Sequence, residues 1–190
     1  RYEGWSFSSF PEGCDALRVM EQAGAAPDVC RLSDEDETRL TMAMASTGSG
    51  AERLGKRYLR MRGHEGGCIA ILGFEGDEEH VEERRRRAGT LMRAGGGVGI
   101  GHRPGDAWLR GRYDGPYLRD ALLDRGVMVE TLETATTWTN LEALHTAVGE
   151  ALRSTLGARG TPPLAMCHMS HLYPTGASLD FMFIARQEEE

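Results

Sequence analysis

No apolar run in this chain approaches the roughly 18 residues that a membrane span requires, so no transmembrane helix is expected. A basic excess is missing too: 22 Lys and Arg stand against 29 Asp and Glu, a net charge of −7. Nucleic-acid surfaces neutralise phosphates with clustered cations, which this balance argues against. The one basic run, Arg84 to Arg87, follows Glu78, Glu79, Glu82 and Glu83 and reads as a solvated helix face of Glu-to-Arg pairs. Cysteine is scarce and scattered. Cys14, Cys30, Cys68 and Cys167 form no C-x-x-C pair, so neither a zinc knuckle nor a disulfide framework is predicted, and a reducing, cytoplasmic setting fits. An initiator Met and a signal-peptide pattern are also lacking, and the chain closes on Glu188, Glu189 and Glu190 just after an apolar strand. It reads as a piece of a longer protein.

What is present suits one globular domain. The chain has 190 residues, 40% hydrophobic and 27% charged, enough to bury about two-thirds of its unfolded surface. Residues 3–10 alternate apolar and small polar side chains as a strand does, and Pro11 opens a helix carrying Leu17, Met20 and Ala23. A short strand over 28–32 leads to a helix whose start is marked by Ser33, Asp34, Glu35 and Asp36. The polar Thr47, Gly48, Ser49 and Gly50 interrupt helix, which resumes over 51–61. Residues 68–74 are nearly all apolar and predict a central, covered strand. A charged helix over 77–93 follows, then a Gly-rich connection, then a broken segment with Trp108 and Tyr113 and a helix opened by Pro116. A strand begins at Val127. A helix over 141–156 shows Leu141, Leu144, Val148, Leu152 and Leu156 at helical spacing. Strands over 164–173 and 178–185, joined by Pro174, Thr175 and Gly176, complete the chain. The order predicts an α+β fold: a largely antiparallel sheet with helices on one face, built from ferredoxin-like halves.

Three features invite chemistry. The run Gly95, Gly96, Gly97, Val98, Gly99, Ile100, Gly101 suggests a dinucleotide loop, but that motif must end a strand and open a helix. Here a charged helix precedes it, so a loop or irregular strand is the better reading. Cys167, His168, Met169, Ser170 and His171 suggest a metal or nucleophile cluster, yet strand alternation sends His168 and His171 to opposite faces and no H-E-x-x-H accompanies them. No metal is expected. Arg31 and Arg119 are the sort of cations that bind an anion bidentately, but from the residues alone ion pairs are the better reading, for Arg119 with Asp120 or Asp124.

Three segments carry a resemblance: residues 112–120 (RYDGPYLRD), 130–138 (ETLETATTW) and 167–179 (CHMSHLYPTGASL). In this order and spacing they resemble the C-terminal cap domain of FAD-linked oxidases of the vanillyl-alcohol oxidase-like superfamily, closest to the alkyldihydroxyacetonephosphate synthase branch. Residues 27–34 and 72–76 extend the likeness almost end to end. The resemblance implies that residues 1–190 form the substrate-covering domain, with an FAD-binding domain upstream and a histidine-rich segment downstream, and that this piece alone is inactive. It implies a substrate role for Arg119, Arg31 and Tyr173, a place beside the cofactor FAD for Glu133 and Thr134, and a catalytic role for His171. Where the synthases present an acid-base tyrosine, this chain has Asp180. A carboxylic acid ordinarily titrates near 3.9 and a phenol near 10, so the exchange bears on which reaction is run. The implied substrate is small and anionic, phosphorylated or lipid-like, and a homodimer is compatible with the chain. Synthase chemistry would exchange an acyl group for an alcohol in ether-lipid synthesis, with no net redox change. The alternatives are a 2-hydroxy acid oxidase or dehydrogenase, whose usual G-H-x-G-D-G-N strand is not reproduced at 167–173, and a non-catalytic ferredoxin-like binding or dimerisation module.

Overall fold

The computed structural model describes residues 1–46 and 48–187, with backbone alone for Gly115 and Pro116; Thr47 and the closing Glu188, Glu189 and Glu190 lie outside the described residues. In chain order the elements are β1 (Tyr2–Phe7), α1 (Phe10–Gln22), β2 (Val29–Ser33), α2 (Glu35–Met44), α3 (Gly50–Met61), β3 (Cys68–Gly73), α4 (Glu78–Ala94), β4 (Val98–Gly101), α5 (Arg103–Gly111), α6 (Gly115–Leu123), β5 (Val127–Thr137), α7 (Leu141–Ala158), β6 (Leu164–Tyr173) and β7 (Gly176–Arg186).

One seven-stranded sheet takes in every strand, in the order β4-β1-β3-β2-β6-β7-β5. Each neighbouring pair is antiparallel. The order resolves into two ferredoxin-like halves. β1-α1-β2 and β3-α4-β4 give the strand sequence 4-1-3-2, and β5-α7-β6-β7 repeats it as 1-3-2 within the described residues. The halves meet where β2 pairs with β6, through only two residue pairs, Leu32 with Met169 and Ser33 with His168.

Beyond those pairs β2 turns into α2, whose first turn takes the place of further strand. Asp34, the N-cap, accepts the backbone N–H of Glu37 at 2.8 Å and that of Cys167 on β6 at 2.9 Å. On the other side the hydroxyl of Thr38 accepts the N–H of Ile69 on β3 at 3.1 Å. Side chains thus satisfy backbone donors that a missing strand residue would leave buried and unpaired.

Strand alternation gives the sheet two unlike faces. On the first, Trp5, Phe7, Leu32, Ala70, Leu72, Cys167, Met169, Leu179 and Phe181 join Phe10, Leu17 and Met20 of α1, Met92 of α4 and Leu141 of α7 in the core. Each large side chain buried there contributes about 1.5–3 kcal/mol. Helices α1, α4 and α7 therefore cover one face, as the pattern predicted. Helix α5 lies on the other: Pro104 abuts Gly4, and the Trp108 ring stands 6.0 Å from that of Tyr2. Because β4 and β5 are opposite edges, α5 and α6 must carry the chain across six strand spacings, roughly 29 Å.

The glycine run closes a helix. Gly96 has φ +86, and Gly97 donates its N–H to Met92 O at 2.9 Å, the usual left-handed termination of a helix such as α4. A Cβ on Gly97 would sit 2.8 Å from that carbonyl oxygen and 2.9 Å from the Phe7 ring. The residues after it form edge strand β4, with an irregularity opposite Gly4 and Trp5. Helix α3 stands apart from the core. It buries no residue, and Leu54, Tyr58 and Met61 form an exposed apolar stripe at helical spacing.

Candidate active site

The second face carries a polar centre where β2, β6 and β7 run side by side. Arg31 on β2 donates from Nη2 to Glu37 Oε1 at 2.6 Å. Glu37 projects from the first turn of α2, and its side chain is only 6% exposed. His168 on β6 sets its two ring nitrogens toward two carboxylates: Nδ1 lies 3.3 Å from Glu37 Oε1, and Nε2 lies 3.6 Å from Asp180 Oδ2 on β7. These are charge contacts rather than aligned hydrogen bonds, and Glu37 Oε2 and His168 Nδ1 are both buried without a hydrogen-bond partner. Burial by itself raises the Glu37 carboxyl; His168 and Arg31 outweigh it and bring the group down to about 2.

Around Asp180 the hydroxyls close in. Ser170 Oγ donates to Asp180 Oδ2, and Ser170 Oγ lies 2.9 Å from Ser178 Oγ, which in turn accepts the His171 N–H at 3.1 Å. Directly across from Asp180 on β5 is Glu133. Facing carboxylates destabilise a strand pair.

A bulge corrects the expectation for the histidines. Met169 pairs with Leu179 but Leu172 pairs with Ala177, so Ser170 and His171 together oppose Ser178. The extra residue shifts the alternation by one. His168, Ser170, His171 and Tyr173 consequently share the second face, whereas strict alternation had put His168 and His171 on opposite faces. Tyr173 stands at the hairpin end, half exposed, with its carbonyl accepting Trp138 Nε1 at 3.1 Å.

Of the residues singled out in the sequence, Arg31, Glu133, His171, Tyr173 and Asp180 come together on this face. Thr134 does not: it pairs with Leu179 and points to the helix-covered side. Arg119 is also elsewhere. From α6 it donates from Nε to Val129 O at 3.2 Å and from Nη2 to Glu130 Oε1 at 2.8 Å, tying α6 to the sheet edge with its side chain 45% exposed. Its ion-pair partner is Glu130, not Asp120 or Asp124. Arg31 and Arg119 are separated across the sheet by β6 and β7, three strand spacings or about 14 Å, and along it as well, since Leu32 is in register with Met169, Leu179 and Thr134 whereas Arg119 holds Val129 and Glu130. Glu37, His168, Ser170 and Ser178 were not picked as site residues. Ser33, Asp34, Glu35 and Asp36 marked the helix start, and Glu37 directly after them carried no separate sign that it would reach Arg31. Among the described residues no group of three or more His, Cys, Asp and Glu could hold a metal ion.

The family model for FAD linked oxidases, C-terminal domain, matches residues 1–190, the whole chain. The protein belongs to that family. Among curated relatives, alkyldihydroxyacetonephosphate synthase of Dictyostelium discoideum is 31% identical over 195 residues, covering 99% of this chain and 32% of its own length. The synthase of Trypanosoma brucei brucei is 33% identical over 198 residues, covering 100% and 32%. A solved structure of alkyldihydroxyacetonephosphate synthase superposes with a TM-score of 0.88 at 31% identity, covering 98% of this chain and 36% of that one. This FAD-linked oxidase C-terminal domain therefore spans about a third of the length of the relatives it matches. No helix among its described residues is long and apolar enough to cross a membrane.

Proposed function

We propose that this domain is the cap of a cytoplasmic FAD-dependent enzyme and that its second sheet face forms the substrate cavity over the flavin, in a reaction like that of alkyldihydroxyacetonephosphate synthase. The observation that carries the reading is the polar centre of Arg31, Glu37, His168 and Asp180 on the one sheet face that α1, α4 and α7 leave free. Buried ionisable groups clustered beside the sheet face that those helices do not cover are costly to keep, and such clusters gather at functional sites.

The residues present fit a cap rather than the holder of the cofactor. The glycine run is spent on ending α4 and offers the cofactor's phosphates no cradle, while Glu133, across from Asp180, would lie toward its ring. When bound, FAD would supply the electron-accepting or adduct-forming chemistry. This chain's groups would do the rest. Arg31 spends a single N–H on Glu37 and keeps the remainder of its fork for an anionic substrate group, phosphate or carboxylate. Arg119 reaches that substrate only by leaving Glu130, an exposed pair that holds it weakly. His171 and Tyr173, on the same face, would line the outer end of that cavity.

The test is to give acyl-dihydroxyacetone phosphate and a long-chain alcohol to the full-length holoenzyme. Release of fatty acid without net flavin reduction is expected; the absence of both acid release and any change in the flavin spectrum would refute the synthase version. A second reading rests on the Asp180–His168 contact, a carboxylate and imidazole suited to taking a hydroxyl proton. It predicts flavin reduction by a 2-hydroxy acid without oxygen.

A further inference from the structure

Asp180 is the acid-base candidate, but its setting includes a group to which no role has been attached. His168 sits between Asp180 and Glu37, addressed by a carboxylate at each ring nitrogen and aligned with neither. A structural histidine in a folded core satisfies at least one nitrogen with a well-formed hydrogen bond. Here Nδ1 has no such partner despite being buried, and Glu37 Oε2 beside it has none either. An unpaired buried ring nitrogen set between two carboxylates is the pattern of a proton-handling group.

The surroundings give each nitrogen a different task. Glu37, held by Arg31 on its other side, sets its carboxylate against Nδ1. Nε2 then faces Asp180 Oδ2, which Ser170 orients. The charged groups near this path are Glu37 on α2, Arg31 on β2 acting through Glu37, Asp180 on β7 and, one strand further, Glu133 on β5.

We propose that His168 is the second member of a proton relay with Asp180: Asp180 takes a proton from the substrate, and His168 Nε2 receives it. The bonding electron pair of the broken bond stays on the substrate. The proton returns along the same path when product forms, so none is gained or lost over the cycle. Glu37 balances the charge of the imidazolium while the proton resides there. This inference rests on the flavoenzyme reading above. It assigns the relay to His168 rather than His171, whose recorded bond is a backbone one to Ser178.

The experiment is steady-state kinetics of the full-length holoenzyme carrying His168→Ala, with and without added imidazole, and with His168→Gln as a second variant should the first lose its flavin. Loss of a proton-transfer partner predicts kcat lower by about 100-fold with KM changed by less than about 3-fold, and partial recovery of kcat as free imidazole fills the vacated space. A packing role would move the melting temperature and KM but would give no imidazole rescue. Retention of the wild-type kcat, or absence of rescue in a folded, flavin-bound variant, overturns the relay and leaves the flavoenzyme reading standing. A wild-type protein that binds no flavin overturns the reading itself, and the relay with it.

Discussion

Replacing Glu37 by Gln should remove a pH-dependent part of the protein's stability while barely changing its shape. The carboxyl falls from an ordinary 4.5 to about 2 in the folded protein because His168 and Arg31 outweigh the effect of burial. A depressed carboxyl contributes stability that is fully present above its unfolded value and is lost as pH falls through its folded value. The window therefore runs from about pH 4.5 down to about pH 2, and the contribution above it is worth about 3 kcal/mol. Denaturant unfolding of wild type and Glu37→Gln at several pH values between 2 and 7 measures it. At neutral pH the variant should be less stable by about 3 kcal/mol, and the two curves should converge as pH falls through about 2, where the Glu37 carboxyl of the folded protein takes up its proton. An unchanged gap from pH 7 to pH 2 would refute the electrostatic account and make Glu37 a packing residue. No gap at any pH would show that Arg31 and His168 do not hold it.

Other outcomes follow from the same geometry. Asp34→Ala should cost about 2–4 kcal/mol, since it strips the α2 cap and leaves the Cys167 N–H buried without a partner, while Asp34→Asn keeps part of both bonds; chemical denaturation separates them. Glu133→Gln should raise the free energy of unfolding by a few tenths of a kcal/mol as it relieves the carboxylate pair across from Asp180, and a lowered stability in denaturant unfolding would contradict the facing arrangement. Burial pushes all four thiols upward, so a thiol reagent should leave the native protein unlabelled and modify four cysteines after unfolding; rapid labelling of the native fold would contradict the packing around them.

Much of the fold was legible because the sequence pattern and the packing agree. Residues 68–74 lack polar side chains, and β3 indeed lies inside the sheet between β1 and β2. The Leu141-to-Leu156 stripe became the buried side of α7. Strand β4 was less clear, because V-G-I-G shows no alternation and the pairing with β1 alone makes it a strand. Residues 103–111 looked broken on account of Pro104 and Gly105, yet proline in the first turn of α5 gives up an N–H that has no helical partner. The site was legible only in part. Arg31, Asp180 and Tyr173 could be singled out, but an inserted residue in β6 has no local signature, and it alone decides that His171 shares their face. The Glu37–His168 contact joins residues far apart in sequence, and neither residue's neighbours announce the other.

The central claim, that this domain caps a flavin, is tested most directly by the visible absorption spectrum of the full-length gene product as purified. The account predicts a yellow protein with the two visible bands of oxidised flavin and a melting temperature that falls when the flavin is stripped. A colourless protein whose melting temperature does not respond to added FAD would contradict it and leave a ferredoxin-like binding module in its place.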